Sequence, residues 1–317
     1  MKKVKNFISF VLVSVFLLQS CGNNESNVVK VGYLPMVSSL AHFVAKDQGY
    51  YEHKGLKIEE SQINTSDLIA DNLIAGHINV AIELSITALL QANEKSKINS
   101  DLLKVYSVSN VTVENGFDAI VVRNDSKAQS FKDLSCKKVG IFPGSTSRNF
   151  LTTIFKRDYP DLQLPEFIDI MPSAHIQQLE GGHIDALYTY EPNLTTGIIK
   201  NGFRKICPSI VALHYSPSLI GCGAVNSTWA EKNPKLLKSY LEAINRAIVF
   251  IRNNPLKSSE ILVKAVGYDT EIANKMNIMP MSQSTELNKA ELQKYLEALQ
   301  IIGEIKDIPD VNSITLK

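Results

Sequence analysis

The sequence predicts an α/β chain folded as two similar lobes, and three observations carry that prediction. A short phrase occurs twice, 106 residues apart, as Leu73-Ile74-Ala75-Gly76-His77-Ile78-Asn79 and Leu179-Glu180-Gly181-Gly182-His183-Ile184-Asp185. Each copy closes a helical stretch, turns at glycine, opens a short apolar strand and reaches a glutamate, Glu83 or Glu191. Strand-like and helix-like segments alternate from Val28 to Thr196, the pattern of a parallel or mixed sheet. With 317 residues, 44% of them apolar, the chain is long enough for two domains with a sizeable core.

The elements follow in order. Lys2, Lys3 and Lys5 precede a twelve-residue, largely apolar run from Phe7 to Leu18. That run falls short of the roughly 20 residues needed to span a bilayer and fits a signal-peptide core, so residues 1–20 are expected to be removed on export. Leu18-Gln19-Ser20-Cys21 resembles the lipobox of bacterial lipoproteins, which implies lipid on the Cys21 sulfur and a site outside the cytoplasmic membrane, periplasmic in a Gram-negative cell. Residues 21–27 form a polar tether with too little apolar surface to fold.

Val28 to Leu34 reads as the first strand, and Pro35-Met36-Val37-Ser38-Ser39 leads into a helix ending near Gly49. A strand from Lys57, a helix over Asp67–Ala75, a strand over Ile78–Glu83 and a helix over Ile86–Asn93 follow, then strands at Leu103–Ser109 and Phe117–Arg123. Lys137–Phe142 opens a second series of strands and helices. Ile206 to Val225 reads as mostly extended, with Gly221-Cys222-Gly223 suited to a crossing between lobes. The remainder is helical: Leu236, Leu237, Tyr240, Leu241, Ile244, Ile248 and Ile251 recur at helical spacing, and Asn288 with Glu291 resembles a capping box.

Ala41 to Glu59, with its Lys46-Asp47-Gln48-Gly49-Tyr50-Tyr51 centre, is similar to a recurring pattern in solute receptors of ABC importers, the family named for nitrate, sulfonate and taurine receptors and for thiamine-pyrimidine-precursor receptors. Both Gly-His-Ile phrases fit that pattern, Tyr190-Glu191-Pro192 looks like its aromatic, acid, proline motif, and Gly144-Ser145-Thr146-Ser147 looks like its serine-rich helix start. The resemblance covers residues 28 to 255. It implies a periplasmic-binding-protein fold of the second type with two chain crossings as a hinge. Residues 28–122 and 222–317 would then form lobe 1, and residues 123–221 lobe 2.

Ligands of α/β units sit beyond the carboxyl ends of strands, which directs attention to a small set of residues. Gly144, Ser145, Thr146 and Ser147 follow a strand and open a helix, where free amides and hydroxyls meet an anion or a carbonyl; capping needs the same residues. Arg148 could neutralise an acid there. Ser38 and Ser39 stand at the corresponding start in lobe 1, as a clamp or as caps, with Met36 and Val37 as apolar walls. Glu83, with Ser85 just beyond it, and Glu191 place carboxylates at strand ends, where they accept N–H donors and repel bare anions; Glu191 equally suits a helix N-terminus. Tyr188 and Tyr190 share a face for stacking or for core packing.

Composition limits the function. Without its first 20 residues the chain carries 30 basic against 32 acidic residues and no basic run, which excludes a nucleic-acid partner. The six histidines are scattered, no three share metal-ligand spacing, and no G-x-S-x-G, H-E-x-x-H or paired CxxC occurs, so neither catalysis, nor a metal, nor a cofactor is expected. His77 and His183 read as surface residues. Cys136, Cys207 and Cys222 leave two readings, a Cys207–Cys222 disulfide or three buried thiols. The expectation is a monomeric envelope receptor delivering a small organic solute, a nitrogen heterocycle, zwitterion or sulfonate, to a membrane permease. A sensor of the same fold, or a cofactor-biosynthesis enzyme acting on the enclosed ligand, is the alternative.

Overall fold

The structure is a computed structural model that describes residues 27–96, 101–143 and 145–316. The signal segment, Cys21 and most of the tether lie outside the described residues. Ten strands form two five-stranded sheets. The first holds β1 (Val28–Tyr33), β2 (Lys57–Gln62), β3 (Val80–Ser85), β4 (Leu103–Val111) and, from much later in the chain, β10 (Ser218–Asn226). The second holds β5 (Asp118–Val122), β6 (Lys138–Ile141), β7 (Glu166–Asp169), β8 (Ala186–Tyr190) and β9 (Arg204–Cys207).

The strand orders, β2-β1-β3-β10-β4 and β7-β6-β8-β5-β9, are the same arrangement built twice. In each, the strand next to the edge pairs in parallel with its two neighbours, β1 with β2 and β3, β6 with β7 and β8. A strand from elsewhere in the chain then adds antiparallel, β10 in one and β5 in the other.

The repeated phrase is the fastener of this unit. Gly76 and Gly182 both adopt φ +72, the left-handed turn that ends a helix and that a side chain would strain. Ile78 and Ile184 are buried. The last residue of each phrase clasps the first strand in both directions: Asn79 N–H donates to Lys30 O at 2.8 Å while Lys30 N–H donates to Asn79 Oδ1 at 2.9 Å. Asp185 N–H donates to Lys138 O at 2.8 Å while Lys138 N–H donates to Asp185 Oδ2 at 2.9 Å. His77 and His183 are exposed, as expected.

Helices cover the sheets: α1 (Leu40–Asp47), α2 (Ser66–Ile74) and α3 (Ile86–Lys95) around the first, α4 (Ser145–Asp158), α5 (His175–Glu180), α6 (Asn193–Asn201) and α7 (Ile210–His214) around the second. The C-terminal series is α8 (Ser227–Lys232), α9 (Pro234–Asn253), α10 (Pro255–Val266), α11 (Thr270–Lys275), α12 (Lys289–Ile301) and α13 (Val311–Ile314). Leu237, Tyr240, Ile244 and Ile248 form the buried stripe of α9, which packs on α1. Asn288 caps α12 through the amides of Ala290 and Glu291 at 3.0 and 3.2 Å. One apolar cluster belongs to the first sheet with α1 and α9, another to the second sheet with α5 and α6, and a third runs continuously from one sheet to the other.

Several expectations need correction. The boundaries at 122/123 and 221/222 are displaced: β5 pairs with β8 and β9, and β10 already pairs with β4 at Ser218, so the chain crosses at 112–117 and 208–217. The stretch read as extended from Ile206 contains α7, because Ser209 caps it and Ile210, Val211 and Ala212 are buried. Cys207 and Cys222 are free buried thiols on different sheets, while Cys136 is free and exposed, at φ +59.

Candidate functional site

The α1 start and the ends of β3 and β4 supply the first half of the candidate site. Ser39 does not cap α1; it is fully buried and its Oγ accepts the Leu34 N–H at 3.1 Å, fixing the loop. The Ser38 Oγ is buried and has no hydrogen-bond partner, and so is Asn110 Oδ1 near the end of β4. Unpartnered buried polar atoms are uncommon and mark places where a ligand or water completes the structure. Met36 is partly buried beside the buried Val37. Ser85 is spent as the α3 cap, accepting the Ala88 N–H at 3.1 Å.

Glu83 is 3% exposed and lies over β10, where Gly221 leaves room for its carboxyl. Its Oε2 accepts the Ser109 hydroxyl at 2.9 Å. Burial raises its pKa to about 8, with the Ser109 hydrogen bond opposing. Burial thus favours the protonated form, whose hydroxyl is a hydrogen-bond donor. The expectation that Glu83 repels bare anions rests on the ionised form, which burial disfavours here.

The second half comes from the ends of β6 and β8. Gly144 lies outside the described residues, and Ser145 and Thr146 are the first residues of α4. Ser147 Oγ and Tyr190 OH share a hydrogen bond at 3.0 Å. Tyr190 is stacked on Phe117 at 5.1 Å, with Phe142 and Tyr188 edge-on at 6.3 and 5.1 Å, so one of its faces is taken. Burial pushes its phenol up to about 12. Tyr188 is core: 1% exposed, it donates to Asp118 Oδ2 at 3.0 Å. Arg148 is turned away, with Nη1 on Phe167 O at 2.9 Å and Nη2 on Asp169 at 2.8 Å.

Glu191 takes the helix-terminus role. Its carboxylate accepts the Thr195 N–H at 3.0 Å and the Thr195 hydroxyl at 2.8 Å in the first turn of α6, and burial raises its pKa against those bonds. The repeat explains why it differs from Glu83. At the spacing of the two phrases, Glu191 corresponds to Ser85, also a helix cap, and Glu83 corresponds to Thr189. Thr189 is buried and bonded to His175 Nδ1 at 2.9 Å.

A segment from the C-terminal half ties the two starts together. The Tyr268 hydroxyl lies close to the Val37 backbone and to Glu191, and burial above all pushes it up to about 12. Asn277 N–H donates to Glu191 Oε1 at 3.4 Å, and its Nδ2 to Gly116 O at 2.7 Å. Lys200 on α6 pairs with Glu271 at 3.0 Å and Asp269 at 3.6 Å beside α11. The α1 start, the β8 end and residues 268–281 thus meet at one place between the sheets.

The family model described as NMT1/THI5 like matches residues 37–258, well over half of the chain. The chain belongs to the NMT1/THI5-like family. It is similar to a Bacillus subtilis (strain 168) protein named as a candidate aliphatic sulfonates-binding protein, 22% identical over 326 residues, which cover 95% of this chain and 93% of that one. Among solved structures, the periplasmic aliphatic sulphonate binding protein SsuA from Escherichia coli matches with a TM-score of 0.72 and 16% identity over 91% of this chain and 97% of its own. The periplasmic nitrate-binding protein NrtA from Synechocystis PCC 6803 matches with a TM-score of 0.66 and 15% identity over 92% and 85%. This member of the NMT1/THI5-like family therefore has the two-sheet α/β fold of periplasmic binding proteins.

Within this NMT1/THI5-like chain, several contributors escaped sequence reasoning. Asp118 is buried and gathers Tyr188, the Ser209 hydroxyl and the Ile210 N–H at the crossings; an acid opening the apolar run Ala119-Ile120-Val121-Val122 was the available signal. The alternation of Ser107 and Ser109 along an apolar strand pointed to a polar partner, which Glu83 is for Ser109. Tyr268 and Asn277 carry no local signal, since their contacts reach back to Val37, Gly116 and Glu191. The buried histidines are committed elsewhere, His175 to Thr189 and Ile170 O, His42 to Tyr51 and Glu60. Among the described residues, no three His, Cys, Asp or Glu side chains are grouped to hold a metal ion.

Proposed function

We propose that the protein is the solute-binding receptor of an ABC importer, held outside the cytoplasmic membrane by lipid on Cys21, and that it works as a monomer by closing two lobes on a small organic solute. The observation that carries this reading is the convergence of the α1 start, the β8 end and residues 268–281 between two copies of one α/β unit. The lobes would turn about the crossings at 112–117 and 208–217. Ser38, Met36 and Glu83 would face the solute from one side, and Gly144, Ser145, Thr146, Ser147 and Tyr190 from the other. Glu191, Ser39, Ser85 and Tyr188 would hold these groups in place.

A neutral carboxyl with two hydroxyl-bearing helix starts donates hydrogen bonds, which favours an oxyanion such as a sulfonate. The sulfonate-binding names of the relatives point the same way. A ligand that binds only the folded protein raises its stability by about 2.7 kcal/mol at a hundred times its dissociation constant. Thermal denaturation of the purified protein with aliphatic sulfonates, taurine, nitrate, pyrimidines and amino acids tests the reading. Stabilisation by one of these classes, without turnover, is expected; stabilisation by none, or conversion of any, overturns it.

A further inference from the structure

Two carboxylates anchored on the first half of the molecule hold a lysine of the second. Lys200, near the end of α6, lies 3.0 Å from Glu271 and 3.6 Å from Asp269, at the start of α11. Each helix is fixed to its own half. Leu194 of α6 is buried in the apolar cluster of the second sheet, with Ala119, Val121 and Leu187. Ala273 of α11 and the adjoining Met276 belong instead to the cluster of the first sheet, and the buried Ser259 hydroxyl on α10 donates to Ala273 O at 3.0 Å. A turn about the crossings that parts the halves therefore stretches the Lys200 pairs.

Both carboxylates are built to let go. Glu271 presents Oε2 to Lys200 and Oε1 to Lys275, one turn further along α11, at 2.9 Å. Asp269 presents Oδ2 to Lys200, while its Oδ1 caps α11 by accepting the Ile272 N–H at 3.1 Å. When Lys200 withdraws, each carboxylate keeps a bond within its own half. Lys200, Asp269 and Glu271 are all exposed, where ion pairs are weak and salt screens them. Lys200 also stands nine residues beyond Glu191, about 14 Å along the helix, so its pairing needs no solute.

We infer that the pairs of Lys200 with Glu271 and Asp269 form an ionic latch between the halves, which favours the closed arrangement whatever the chemistry of the solute and which ionic strength loosens. The inference rests on the receptor reading above and adds to it a control of closure set apart from the solute groups. Loss of the latch should raise the ratio of open to closed protein about two- to fivefold.

Small-angle X-ray scattering of the purified protein without solute tests it. In about 0.01 M salt charges act over about 30 Å, and in about 1 M salt over about 3 Å, so the unaltered protein should expand as salt is raised. Lys200→Gln should show the larger radius already at low salt and change little from there. Lys275→Gln removes a charge of α11 but no contact between the halves, and should keep the salt-driven expansion. Both lysines are exposed, so the variants should fold, which circular dichroism checks. A radius of the unaltered protein that ignores salt, or an equal expansion in Lys200→Gln, overturns the latch. Either result leaves the receptor reading to the thermal screen with solutes, which decides it separately.

Discussion

Replacing Gly221 by alanine tests how Glu83 is seated. The backbone there is not left-handed, so the substitution adds only a methyl group, whose carbon would lie 1.7 Å from Glu83 Oε1 and 2.7 Å from its Cδ. Ordinary contact needs about 3.5 Å, so the carboxyl must retreat by about 1.5 Å or more. That retreat breaks the 2.9 Å bond to Ser109 inside the sheet. The lost bond costs about 1 kcal/mol and the buried groups left without partners about 1–3 kcal/mol more, so Gly221→Ala should destabilise the protein by about 2–4 kcal/mol. Urea denaturation measures this, and the decisive step is repetition in a Glu83→Ala background. With no carboxyl group to strike, the added methyl should be neutral or stabilising by up to about 1 kcal/mol, since alanine restricts the unfolded chain. Equal losses in both backgrounds would refute the contact.

The raised pKa of Glu83 gives a second prediction. Because the folded value of about 8 exceeds the ordinary 4.5, the folded protein binds the extra proton between those limits. The stability contributed is present below pH 4.5 and lost as pH rises through 8, at most about 1.4 kcal/mol per unit. Glu191 and Asp118, also raised by burial, slope the same way, so the difference between wild type and Glu83→Gln isolates Glu83; Glu83→Gln should be the more stable at pH 9, and parallel curves would refute the assignment. Gly76→Ala and Gly182→Ala should each cost about 1 kcal/mol from backbone strain, add when combined, and leave ligand affinity unchanged. A double variant whose thermal shift departs from the sum would deny that the clasps are independent. Asn277→Ala removes the 2.7 Å bond to Gly116 O and should weaken solute binding about fivefold by loosening the closed form, read by calorimetry with scattering for the radius. Undiminished affinity would remove the bridge from closure.

What was legible in the sequence is what local chemistry writes there. The two Gly-His-Ile phrases announced the doubled unit because glycine, a buried isoleucine and a short polar side chain are each needed at fixed offsets from a strand. Asn288 announced α12 in the same way. The site was only half legible. Ser39, Ser85 and Glu191 have the residue types of a binding pocket, but their hydrogen-bonding capacity is consumed by a loop amide and by two helix termini. The fate of Glu83 was hidden because its protonation depends on burial by strands that lie more than twenty and more than a hundred residues away. The crossings were misplaced because an apolar strand such as Asp118–Val122 looks the same whichever sheet it joins.

Cys136 stands apart from the other described cysteines: it is exposed, whereas Cys207 and Cys222 are sealed within the sheets. A thiol-directed fluorophore would attach there in preference, on the segment leading into β6 and far along the chain from the α1 start. Paired with a second dye on an engineered cysteine in the first sheet, it would turn any swing of one half against the other into a change of energy transfer, visible molecule by molecule.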